Sequence, residues 1–224
     1  MKTLFLLIVY SPLPNQQNSI LSHLMLKNVI HELVNSPSFS IYNNTITILS
    51  DAKYKIELKE VLGYFTKDVQ FRFLEENNDD LTILNHHINT HIQRALVSSN
   101  VNYCMVISSA LPIFSNLIFK EEVKWDSDII MGLTESSDTS MLIFQKQFTP
   151  FFFKLPDESI KTSERNLALF KQYKRSVNII KNHIFLRQDS EQLFLSSFVI
   201  DQLKREGNIY QSELYRLLLN MHES

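Results

Sequence analysis

Residues 4–9 form an unbroken apolar run that closes at Tyr10 and then meets Pro12 and Pro14. A strand apolar at every position needs cover on both faces, the condition of a central strand in a parallel sheet. The run is far shorter than the roughly twenty residues a membrane span requires. No small-residue cleavage pattern follows it, so it does not read as a secretory leader. One buried strand at the start therefore asks for helices on both sides of a sheet, and the rest of the chain supplies candidates.

Residues 18–34 place Ile20, Leu21, Leu24, Val29, Ile30 and Leu33 at helical spacing. After a polar loop over 35–44, residues 45–49 are β-branched and alternating, and 54–58 fit a short hairpin partner beside them. Residues 69–74 alternate Val69, Phe71 and Phe73, 81–98 return to helical spacing, and 103–107 form a second buried strand. Further strands are expected over 129–133, 141–147 and 150–154. This order predicts an α/β fold, a three-layer Rossmann-like sandwich with a mixed, mainly parallel sheet, followed by a C-terminal helical segment. Beyond Pro156 the pattern reads as helix to the end: one from Ser163 carrying Leu167, Phe170, Val177, Ile180 and Ile184, one over 193–205 stopped by Gly207, and one over 211–221. The expected organisation is an α/β domain over 1–156 and a helical segment over 157–224 packed on it.

Ligands in such sheets bind beyond the carboxyl ends of the strands. There the composition becomes restrictive. The chain has only three glycines, Gly63, Gly132 and Gly207, where average usage would give about fifteen. A backbone cradle for phosphate needs clustered glycine, and prolines remove amide donors. The first strand exits through Ser11, Pro12, Leu13, Pro14 and Asn15. P-loop, dinucleotide-fingerprint and Gly-x-Ser-x-Gly chemistry are excluded on this ground. Any site must be built from side chains.

The side chains that qualify are few. Asp51, with Asp80 and His87, supplies carboxylates and an imidazole for acid–base or hard-cation work, although loop aspartates ordinarily cap helices and solvate turns. His87 and His91 share a helix face at the spacing of a zinc pair, but no glutamate follows His87 and a third ligand is not evident. Surface histidines are the ordinary reading, and no metal or cofactor is expected. Cys104, the only cysteine, lies in an apolar run, reads as a buried small hydrophobe and rules out an intrachain disulfide.

A net charge of −2 offers no broad basic surface for nucleic acid. Lys171, Lys174, Arg175 and Lys181 are a local basic stretch that reads as a solvated face. Phe148, Phe151, Phe152 and Phe153 around Pro150 are either core or a partner surface, and Trp125 among charges suits an interface anchor. With the glycine loops missing, the sequence favours a non-enzymatic interaction or assembly subunit of a larger complex, binding one or more protein partners through these aromatics. Nucleic acid is expected only indirectly and a membrane not at all, with a soluble cytoplasmic or nuclear location. The alternative is a small-molecule enzyme, a transferase or hydrolase, with a side-chain-only site at the strand carboxyl ends.

Overall fold

The computed structural model describes residues 4–10, 19–36, 40–51, 54–67, 69–76, 101–109, 111, 114, 123–134, 139–148, 163–183 and 209–223. Among the described residues, seven strands form one sheet in the order β3-β2-β1-β4-β6-β5-β7. They are β1 (Leu4–Tyr10), β2 (Ser40–Asp51), β3 (Gln70–Glu76), β4 (Tyr103–Ser108), β5 (Ile129–Thr134), β6 (Thr139–Gln145) and β7 (Val177–His183). Strands β1 to β4 are mutually parallel, β6 is antiparallel to both β4 and β5, and β7 is parallel to β5. The sheet is thus mixed and mainly parallel, as the run at 4–9 requires, with β1 inside it.

Helix α1 (Ser19–Val34) connects β1 to β2, and α2 (Lys55–Leu62) follows β2. Both crossovers step the same way along the sheet, so right-handed connections put both helices on one face. The core confirms the placement. Leu26, Val29, Ile30 and Leu33 of α1 and Leu58 and Leu62 of α2 share one buried cluster with Ile46, Ile48, Met105, Ile107, Ile130, Met141, Ile143 and Ile180 of the sheet. The alternate residues Cys104, Val106, Ile129, Met131, Leu142 and Phe144 point to the opposite face and are equally buried. Both faces are covered, which is the sandwich the sequence predicts.

Helix α3 (Ser163–Gln172) buries Phe170, and the C-terminal helix α4 (Ile209–Glu223) packs on α1. The Tyr210 ring sits 5.6 Å from His31 and 6.0 Å from Phe65.

Three elements differ from the sequence reading. The stretch 54–58 is no hairpin partner but the start of α2, because Leu58 and Leu62 bury together one helical turn apart. Strand β2 begins at Ser40, inside the expected loop; its register on β1 jumps from Phe5↔Ile41 to Leu7↔Ile46, so a bulge absorbs the Asn-rich residues. The unbroken helical tail also gives way, because α3 ends at Gln172 and 177–183 is a strand in register with β5. The expected helices over 81–98 and 193–205, and the strand over 150–154, lie outside the described residues.

The end of α3 explains the last miss. Lys174 adopts φ 53°, the left-handed region, and its amide donates to Lys171 O at 3.0 Å while Arg175 N donates to Phe170 O at 2.9 Å. This bond pair is a Schellman cap, a site that glycine usually fills. With lysine there, the stop is invisible in the sequence. The chain turns at once into β7, whose start is clasped to β5: Asp128 N donates to Ser176 Oγ and Ser176 N to Asp128 Oδ2, both at 2.9 Å.

Candidate functional site

The connections run outward from β1 through β2 to β3, then return to place β4 on the other side of β1. That reversal is a topological switch point between the carboxyl ends of β1 and β4, the usual ligand position in open α/β sheets. Register fixes what meets there. Tyr10 stands opposite Ser108 on one side and Leu49 on the other. Ser108 and Ser109 are 6% and 3% exposed, buried hydroxyls at the very end of an apolar strand.

Because β6 runs against its neighbours, it brings its beginning to the same edge. Ile107 pairs with Met141, so Ser140, 2% exposed, lies beside Ser108 in the strand direction. Leu133 pairs with Thr139, and Thr134 with His183 at the end of β7. The right half of the edge therefore carries a row of hydroxyl-bearing residues at its backbone positions, ending in a histidine. On the left, Ser50 pairs with Glu75 and Asp51 with Glu76. The edge divides into an acidic half over β2 and β3 and a hydroxyl half from β4 outward.

Hydroxyls and carboxylates of this kind can orient a polar ligand: serine and threonine donate to phosphate or sugar oxygens, and carboxylates accept from hydroxyls. Nothing here depends on glycine. Gly63 has open space where a Cβ would stand, and no described glycine has positive φ.

The chain beyond β4 is tied down from two sides. Leu111 and Phe114 are buried in the core on the α1 face. The carbonyl of Phe114 accepts from Asn28 Nδ2 of α1 at 3.4 Å and from Gln211 Nε2 of α4 at 3.3 Å. Asn28 and Gln211 are themselves 0% and 3% exposed. A second polar link joins α1 to α2 near their starts: His23 Nε2 lies 2.9 Å from Glu57 Oε1, though without an aligned hydrogen bond. Burial holds the His23 imidazole below its ordinary pKa; Glu57 pulls upward and Lys27 downward.

The residues singled out from sequence fall in different places. Asp51 ends β2 at the carboxyl edge, in register with Glu76. Asp80, His87, His91, Phe151, Phe152 and Phe153 lie outside the described residues. Among the described residues no group of three or more acidic, histidine or cysteine side chains could hold a metal ion. Trp125 is half-buried against the core, its ring 5.5 Å from Tyr103 and its carbonyl accepting from the Tyr103 hydroxyl at 3.3 Å. Phe148 is buried, with the Arg175 guanidinium 4.6 Å from its ring centroid. Lys171, Lys174 and Arg175 are exposed at the end of α3. Cys104 is fully buried, and burial pushes its thiol pKa well above the ordinary range.

Sequence reasoning identified the β4 exit as a strand end but missed Ser140, Thr134 and His183. The first two reach the edge only through the reversed direction of β6 and the strand order. His183 reads as helical in the sequence, and the cap at Lys174 that ends the helix before it carries no sequence signal.

No protein-family model and no curated protein matches the sequence. Solved structures do match the fold. A 4-diphosphocytidyl-2C-methyl-D-erythritol synthase from Anaerococcus prevotii is similar with a TM-score of 0.61 at 11% identity, over 91% of this chain and 97% of that one. The inositol-1-phosphate CTP transferase of T. maritima gives 0.58 at 9% identity, over 95% and 96%. A cytidylyltransferase from Leptospira borgpetersenii gives 0.51 at 12%, over 100% and 96%.

These likenesses confirm the mixed α/β fold and correct the leading functional expectation. The reading of a non-enzymatic assembly subunit, a scaffold on a degenerate fold, took the missing glycine loops as its ground. The folds that match end to end are those of small-molecule enzymes, so that ground fails. The nuclear location expected with it loses its basis as well. Among the described residues no helix is long and apolar enough to cross a membrane.

Proposed function

We propose that the chain is a small-molecule transferase that moves a nucleotidyl group from a nucleoside triphosphate to a phosphorylated or hydroxylated acceptor. One observation carries the reading: a sheet reversing at β1/β4 and matched over nearly its whole length by structures named as a CTP transferase and a cytidylyltransferase. In such a reaction an acceptor oxygen attacks the α-phosphorus, the bond to the β-phosphate oxygen breaks, and pyrophosphate leaves. Catalysis is then mainly positioning and charge stabilisation, which side chains can supply without a backbone cradle.

The nucleotide lies across the switch point between β1 and β4, with the buried hydroxyl-bearing residues Ser108, Ser109 and Ser140 along that edge. Asp51, whose backbone closes β2 at the carboxyl edge in register with Glu76, is the candidate carboxylate to accept from an acceptor or ribose hydroxyl. Asp80 and His87, which follow β3 in the chain, are its candidate partners.

The test is direct. Purified protein is incubated with magnesium salts of CTP, UTP, ATP and GTP against a panel of sugar 1-phosphates, polyol phosphates and sugar acids, and pyrophosphate release is followed. One nucleotide, CTP first in expectation, should raise the melting temperature and release pyrophosphate with a subset of acceptors. Asp51→Asn should lower that rate by about a hundredfold or more if the carboxylate takes part in proton transfer. Absence of both binding and release across all four nucleotides would overturn the reading.

A further inference from the structure

Helix α1 is enclosed almost all round. Between residues 20 and 34 only Ile20, His23, Lys27, His31 and Val34 are not buried, so a single ridge of the helix is left for groups that carry charge. Spacings of three and four residues set them one above another along that ridge. His23 faces α2, where Glu57 stands in the first turn. His31, two turns further along, meets Tyr210 of α4 instead, and its neighbouring carboxylate, Glu32, belongs to α1 itself. The His23–Glu57 pair, by contrast, spans two helices.

His23 Nε2 and Glu57 Oε1 stand 2.9 Å apart, within hydrogen-bonding distance, yet Nε2 is buried and has no aligned partner. A neutral imidazole carries one N–H and leaves its other nitrogen an acceptor, whereas the imidazolium donates from both. Protonation therefore guarantees a donor at Nε2 facing a carboxylate, and the bond it can form is charge-assisted. The influences on the ring oppose one another. Burial disfavours its charge most strongly, Glu57 favours it, and Lys27, one turn along α1, disfavours it. The ring is consequently neutral near pH 7 and takes its proton in mildly acidic solution.

We propose that His23 and Glu57 form an acid-operated clasp between α1 and α2, loose while the imidazole is neutral and closed when it is protonated. Closing joins Nε2–H to Oε1 and ties the second turn of α1 to the first turn of α2. The clasp offsets part of the cost of burying the charge without reversing it. The two helices are thus joined more firmly in acid even as the whole fold loses stability. The clasp needs these two side chains alone and stands whatever reaction the strand ends support.

The experiment follows the His23 imidazole and the backbone amides of α2 by NMR from pH 8 to pH 4.5. Wild type is compared with His23→Gln, Glu57→Gln, Lys27→Gln and His31→Gln. In wild type the α2 amides should shift with the midpoint of the His23 ring. That inflection should vanish in His23→Gln, where the carboxylate is kept, and persist in His31→Gln. The His23 midpoint should fall in Glu57→Gln and rise in Lys27→Gln. A double-mutant cycle over His23→Gln and Glu57→Gln, read from urea unfolding, should show no coupling at pH 8. At pH 5 it should show about a threefold coupling in the unfolding constant, the scale of a partly exposed pair.

Amides of α2 that ignore the His23 midpoint overturn the proposal. So does a midpoint unmoved in Glu57→Gln, or a coupling equal at the two pH values. The Glu57 side chain is 42% exposed, so its variant tests the clasp without disturbing the core.

Discussion

Replacing Lys174 with glycine should stabilise the protein, although it removes a side chain and adds backbone freedom. Lys174 holds φ 53° at the end of α3, and its side chain is exposed. The left-handed region costs an L-residue about 1–2 kcal/mol because Cβ approaches the following carbonyl oxygen. Glycine escapes that cost but loses more entropy on folding, about 0.4–1 kcal/mol. The difference leaves a net gain of about 0.5–1 kcal/mol, while the Schellman bonds at 3.0 and 2.9 Å stay in place. For a chain of 150–250 residues each kcal/mol moves the melting temperature by about 2–4 °C. Urea titration followed by the fluorescence of Trp125, the only tryptophan, gives the stability directly. Lys174→Ala keeps Cβ and loses only the exposed chain beyond it, so it should match wild type, whereas Lys174→Val should be the least stable of the set. Glycine at or below the stability of alanine would refute the reasoning, because the strain assigned to Cβ would then be absent.

Two further outcomes follow from buried groups. Cys104 is fully buried with its thiol pKa pushed up, so a thiol reagent at pH 8 should leave the native protein unmodified and label it only on unfolding. His23 is held below its ordinary pKa of 6.5 by burial, so the unfolded chain binds the proton more readily than the folded one. Stability should therefore fall as pH drops through about 6.5 toward the lower folded value. His23→Gln should flatten the melting temperature against pH in that window, and an unaltered slope would refute the assignment.

The parts of the fold that the sequence revealed are those where local pattern and tertiary demand agree. The apolar run at 4–9, the helical stretch at 18–34 and the run around Cys104 each have one reading, and the sheet realises it. Where they disagree, packing prevails. Tyr54, Ile56 and Leu58 alternate like a strand, but Leu58 and Leu62 have a shared place under α1, while Ile56 is left 75% exposed. Val177 and Ile180 are spaced like a helix, but a left-handed lysine has already ended it. The scarcity of glycine misled twice: it hid the stop after α3, and it was taken as the mark of a protein without chemistry. The candidate site was legible only as a set of strand ends. Which ends stand next to each other is a property of strand order, and no local pattern encodes it.

Strand β6, the one reversed strand among those described, has an evolutionary consequence. Strand β5 ends at Thr134 and β6 begins at Thr139, and because β6 starts where β4 finishes, these two strand ends lie at the same rim as Ser108. A parallel crossover at a rim is burdened by the helix it must lead into, so its length and composition are constrained from below. A hairpin link is not. Insertions or exchanges in such a link vary a rim while the helix–sheet contacts stay as they are. A lineage built on this sheet can therefore vary this part of the rim while the packed core is left as it is.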